Sequence, residues 1–149
     1  MEVKTISLGA GADTVVFGAS KAANGEDTIT NFTAGASGDK LDVSAFLSSA
    51  ASVDRQTGTG LTSGQVDTTS GKNVIVLSSS VSTATDIKFT GANNTKYVVI
   101  NETDKKVYFY TATNETAVAL TSVLATDNQV ATLTGVTTTS LVDANFIGV

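Results

Sequence analysis

Gly9-Ala10-Gly11-Ala12-Asp13 runs into Thr14-Val15-Val16-Phe17-Gly18, and Asn24-Gly25-Glu26-Asp27 runs into Thr28-Ile29-Thr30-Asn31-Phe32. Both copies share a layout: a small glycine-containing turn ends in Asp, Thr follows, and a short strand with alternating apolar residues closes on Phe. A degenerate third copy, Gly35-Ala36-Ser37-Gly38-Asp39-Lys40-Leu41-Asp42-Val43-Ser44, keeps the turn and doubles the acid around Leu41. The Asp-to-Asp spacings are 14 and 12 residues. The pattern predicts short strands joined by glycine turns, and residues 1–54 are read as one turn-rich region ending in a short helix.

That helix is expected as one or two turns within Ser44–Ala51, with Asp42 or Ser44 as its N-cap. Residues 55–73 are rich in Gly, Ser and Thr without a sustained period and read as a long loop, interrupted at most by Leu61 and Val66. Beyond it, Asn73–Leu77, Asp86–Phe89, Tyr97–Ile100 and Val107–Tyr110 are short apolar runs bounded by turn formers and read as strands. Asn101-Glu102-Thr103-Asp104-Lys105 predicts a β-hairpin over 96–111. Tyr97, Val99, Tyr108 and Tyr110 cannot share one face with Val98, Ile100, Val107 and Phe109, so either a second sheet or another molecule must cover the other face. Residues 74–149 are thus a β-rich region, and the whole is expected to form one compact domain.

Composition agrees with an all-β chain. Thr (25) and Ser (15) supply 40 of 149 residues, and hydrophobic residues make up 41%, which suits pleated, half-buried surfaces. The expected architecture is a β-sandwich, or a short β-roll joined to one, with few helical turns. His and Cys are absent, which excludes Ser-His-Asp and Cys-His triads, thiolate chemistry and zinc sites built from nitrogen or sulfur. Paired carboxylates of glycosidase type are the remaining catalytic option, yet the acids are scattered through turns, so the chain is expected not to be an enzyme. A net charge of -5 is the wrong sign for a nucleic-acid or anionic-lipid partner. No apolar run reaches membrane-spanning length, so no membrane insertion is expected. The start, Met1-Glu2-Val3-Lys4-Thr5-Ile6-Ser7, lacks the basic and long apolar segments of a secretory signal. Three explanations stand: a cytosolic chain, export that reads something other than an N-terminal signal, or a Met1 added to an excised fragment.

Glycines let backbone carbonyls converge and an adjacent Asp adds charge, a combination that suits the hard oxygen cage of calcium. The expected metal residues are Asp13, Asp27, Asp39 and Asp42, with Gly11 and Gly25 shaping the turns. Six of the 14 acids fall within the first 45 residues.

GAGADTVVFGA, GEDTITNFTAG and GDKLDVSAF resemble the calcium-binding repeat end of repeats-in-toxin (RTX) proteins, after their parallel β-roll. LTGVTTTSLVDANFIGV is similar to the C-termini of type I secreted surface-layer proteins and adhesins. Gly9, Gly11, Asp13 and Val15 match the family nonapeptide, whereas Leu8 replaces its first glycine and Ala22 stands where the next acid belongs; Asn145 stands where the terminal signal usually carries an acid. The resemblance implies a noncatalytic extracellular or cell-surface module, calcium-stabilised, associating with copies of itself or with neighbouring domains of the same protein and exported by a type I secretion apparatus. The alternative is the C-terminal secretion and folding cap of a larger secreted protease or lipase.

Overall fold

The computed structural model describes residues 3–57, 64–91, 93–113, 117–136 and 140–148. The chain is all-β, and its strands alternate between one large sheet and two small ones. β1 (Thr5–Ser7) and β2 (Thr14–Val16) make the first coil and β3 (Asp27–Thr30) and β4 (Lys40–Asp42) the second; β5 (Val53–Gln56) and β6 (Gln65–Asp67) make the third and β7 (Val74–Leu77) and β8 (Asp86–Lys88) the fourth. β9 (Thr95–Asn101) and β10 (Lys106–Ala112) form the expected hairpin, and β11 (Ala117–Ala119), β12 (Gln129–Thr134) and β13 (Phe146–Ile147) return to each sheet in turn. The central sheet has the order β1-β3-β12-β10-β9-β7-β5, with β11-β8-β6 and β13-β4-β2 as the small sheets. Every neighbouring pair in the central sheet is parallel except the two that involve β10.

Residue parity decides where the small sheets lie. Val74, Val76, Val98, Ile100, Val107 and Phe109 pack with Val15, Leu41 and Phe146 of β13-β4-β2 in one core. The residues that alternate with them, Ile75, Leu77, Tyr97, Val99 and Tyr108, pack with Val66, Ile87 and Phe89 around β11-β8-β6 in a second core. The two-faced hairpin is therefore covered by a sheet on each side, and β7 is buried at all four residues, as a strand inside a layered structure must be. Past β12 the second small sheet stops. There the outward positions carry hydroxyls: Thr5, Thr28 and Thr132 lie in register, as do Ser7, Thr30 and Thr134.

One expectation is narrowed and one is corrected. Ser44–Ala51 makes a single turn, closed by Leu47 N–H to Val43 O at 2.8 Å, because Phe46 and Leu47 are both drawn into the core. The stretch read as a loop, 55–73, contains the end of β5 and all of β6. Val66 is the one large apolar residue of β6; parallel pairing with β8 supplies what propensity does not. Leu61 lies outside the described residues. A short helix α1 (Lys21–Asn24) capped by Ser20, and a second, α2 (Leu120–Val123), complete the fold together with short 3-10 turns.

Phe109 stacks on Phe46 with centroids 4.1 Å apart and meets Phe17 edge-on at 5.7 Å. Phe109→Ala is expected to cost about 3–5 kcal/mol in urea unfolding through the cavity it leaves. Tyr108 donates to Asp104 Oδ2 at 3.3 Å; burial first, then the Asp104 charge and this bond, push its ionisation well above the ordinary 10.0. The unfolded chain loses this proton near pH 10 while the folded chain keeps it, so the contribution is full below that pH and falls as pH rises beyond it. Tyr108→Phe is expected to remove that part of the alkaline loss, measured as the midpoint of urea unfolding between pH 9 and 11.

Candidate functional site

The turn acids are distributed by strand register. β2 and β4 pair Thr14 with Lys40, so Asp13 and Asp39 occupy equivalent positions in successive coils. Asp39 is fully buried. Its Oδ1 accepts the Asp13 N–H at 2.7 Å and its Oδ2 accepts the Thr33 N–H at 2.7 Å. Asp13 in turn accepts the Gly9 N–H through Oδ2 at 3.0 Å, closing its own glycine turn.

The same device recurs in the central sheet. β1 and β3 pair Thr5 with Thr28, and Asp27 Oδ1 accepts the Lys4 N–H at 2.9 Å. In both sheets an Asp at the entrance to a strand reaches back one coil and satisfies the amide of its register partner. Asp42 stands apart. Strand alternation sends Asp39 and Leu41 inward and leaves Asp42 half-exposed on the opposite face, where its Oδ1 accepts from Ser44 N–H at 3.0 Å and Ser44 Oγ at 2.6 Å. The structure thus brings Asp13 and Asp39 together and separates Asp27 and Asp42 from them.

Gly11 (φ 111) and Gly25 (φ 81) adopt backbone conformations that disfavour other residues. Gly25 ends α1 by donating to Lys21 O at 3.0 Å. Gly38 has a different reason to be glycine: a Cβ there would sit 2.1 Å from Thr33 O, inside the turn that Asp39 holds.

Sequence reading missed Asn145, also fully buried. Its Oδ1 accepts from Gly35 N–H at 3.0 Å and Val142 N–H at 3.1 Å, and its Nδ2 donates to Gly35 O at 2.9 Å and Asp39 O at 2.8 Å. An acid at this position lacks the two donors that Gly35 O and Asp39 O accept from. Asp54 in the third coil and Asn73 at the entrance to the fourth do similar work: Asp54 accepts from the Thr69 N–H at 2.6 Å, and Asn73 accepts from the Ser52 N–H at 2.9 Å. The sequence signal for all of them is an Asp or Asn beside a buried strand or a glycine turn, which composition alone does not separate from solvated turn formers.

These arrangements bear directly on calcium. An ion needs six to eight oxygen ligands, whereas the groups aimed at Asp39, Asp13 and Asp27 are amide N–H donors. Among the described residues there is no group of three or more Asp or Glu placed to hold a metal ion. As arranged, the carboxylates fit hydrogen-bonded caps, and an ion at Asp13 and Asp39 would have to displace those amides. A cleft of about 350 Å³ over the second core is walled by Leu77, Val81, Ala84, Leu120 and Leu124, with no charged residue among the described residues of its lining.

Asp39→Asn keeps the shape and turns an NH2 group toward one of two amide donors, leaving it unsatisfied in a buried site. The expected loss is about 2–4 kcal/mol in urea unfolding; a change under about 0.5 kcal/mol contradicts the cap.

No family model, curated protein or solved structure matches the chain.

Proposed function

We propose that the chain is a noncatalytic structural module of an extracellular or cell-surface protein, of surface-layer, filament or adhesin type, that associates with copies of itself. The observation that carries this reading is the back-reaching carboxylate, seen at Asp27 and at Asp39. The acids most suggestive of chemistry are spent on joining one coil to the next, a scaffold's use of charge. Parallel coils with an outer strand, β1, that among the described residues pairs on one side only suit a building block. No helix among the described residues is long and apolar enough to cross a membrane.

The C-terminal end bears on export. Leu133, Val136, Leu141 and Phe146 are buried in the first core, and β13 pairs with β4. A secretion apparatus that reads this end must therefore engage it before the chain folds, or after β13 has come away.

Calcium has two possible places in this reading. The amide caps hold the turns as they stand, or an ion replaces them at Asp13 and Asp39; the hydrogen bonds in place favour the caps. Thermal unfolding in chelator and in 5 mM calcium separates the two. Under the cap reading the two midpoints are expected to agree within about 1 °C. An ion at ten times its dissociation constant adds about 1.4 kcal/mol, or roughly 3–6 °C for a chain of this size. A rise of that size that disappears in Asp39→Asn would overturn the cap reading and restore calcium to these turns.

A further inference from the structure

Asn24-Gly25 is the only Asn-Gly pair in the sequence, and such a pair has a chemistry of its own because glycine leaves the following amide nitrogen sterically open. When that nitrogen reaches the Asn side chain it attacks Cγ, the Cγ–Nδ2 bond breaks, ammonia leaves and a succinimide ring forms. Water then opens the ring at either carbonyl, giving Asp or isoaspartate. The sequence of steps consumes water alone.

Both reacting groups are occupied in the folded chain. Asn24 closes α1: its Oδ1 accepts from Gly18 N–H at 2.6 Å, and its Nδ2 donates to Gly18 O at 3.1 Å and Ser20 O at 2.7 Å. The Gly25 N–H donates to Lys21 O at 3.0 Å, which holds the proton that the attack must remove. Yet α1 is lightly anchored. It has four residues, none of them buried; Ser20 Oγ accepts the Ala23 N–H at 3.3 Å, and Lys21 Nζ reaches Glu26 at 2.8 Å and Thr126 O at 2.9 Å. A turn with so little buried surface opens more often than the strands around it.

From this arrangement we propose that Asn24-Gly25 is a modification site gated by α1: the closed turn protects the pair, the open turn lets Asn24 convert, and the product keeps the turn from closing. A carboxylate has no N–H for Gly18 O and Ser20 O, and isoaspartate also adds one main-chain carbon to a turn of fixed length. The new charge enters the cleft of about 350 Å³ that Asn24, Ala23 and Gly18 line together with Ile6 and Asp27, so Asp27 opposes it as well. Conversion runs one way and loosens the corner between β2 and β3.

Deamidation of the full chain at Asn24, followed by peptide mass spectrometry in buffer and in denaturing urea, tests the gate. The folded chain is expected to convert at least about tenfold more slowly than the unfolded one. Ser20→Ala removes the cap on Ala23 and is expected to raise the folded rate about fivefold, the usual strength of such a cap. Ile75→Val costs global stability a similar amount in the second core and is expected to leave the folded rate unchanged. Asn24→Asp reproduces one product and is expected to be cut by trypsin after Lys21 at least about tenfold faster than the parent under native conditions. Equal rates in the folded and unfolded chain would overturn the protection. A folded rate indifferent to Ser20→Ala, or raised as much by Ile75→Val, would overturn α1 as the gate, and parent-like cleavage of Asn24→Asp would overturn the claim that the product holds the turn open.

Discussion

Asp39 joins three stretches of chain that lie far apart in sequence or on separate turns. Its two carboxylate oxygens hold the amides of Asp13 and Thr33, its own carbonyl accepts from Asn145, and its N–H donates to Thr33 O at 2.8 Å. A fully buried carboxylate without these donors is costly, and two turns with unpaired amides are costly as well; each satisfies the other. The first coil, the Gly35–Gly38 turn and the C-terminal segment are thereby positioned around one side chain. Asn145 completes the arrangement because it both donates and accepts, so the last strand arrives beside β4 in register.

On this frame the central sheet is built by parity. A strand such as β7, apolar at every residue, demands cover on both faces, and the chain supplies it by sending β2, β4 and β13 to one side and β6, β8 and β11 to the other. Cover ends where hydroxyls begin: the outward residues of β1, β3 and β12 are Ser and Thr, which tolerate water. Thr30 and Thr134 each donate to the central carbonyl of the adjacent strand, Ile6 O and Ile29 O, at 3.4 Å.

The all-β class, the hairpin and the need for cover on both of its faces were legible in Tyr97–Ile100 and Val107–Tyr110, because alternation with apolar residues on both faces is a direct statement about burial. The turn–Asp–Thr–strand repeat was legible too, and its second and third copies are the ones whose acids reach back one coil. Hidden from sequence was what the acids face. A glycine turn followed by Asp looks alike whether backbone carbonyls or amides converge on it, and the difference depends on the register with which Thr14 meets Lys40 and Thr5 meets Thr28. β6 was hidden for a related reason: its three residues have meaning only beside β8. The helix expected after Asp42 began as capped, with Asp42 Oδ1 on the Ser44 amide, but burial of Phe46 and Leu47 outweighed continuation of the turn.

The central claim is that Asp39 holds the turns of successive coils through backbone amides. Residue-resolved amide hydrogen exchange measures this directly. The account expects the Asp13 and Thr33 amides to exchange as slowly as neighbouring strand amides, although both residues border solvent, and to lose that protection together in Asp39→Asn. Exchange at both positions near the rate of an unstructured chain, or protection unchanged by the substitution, would contradict it.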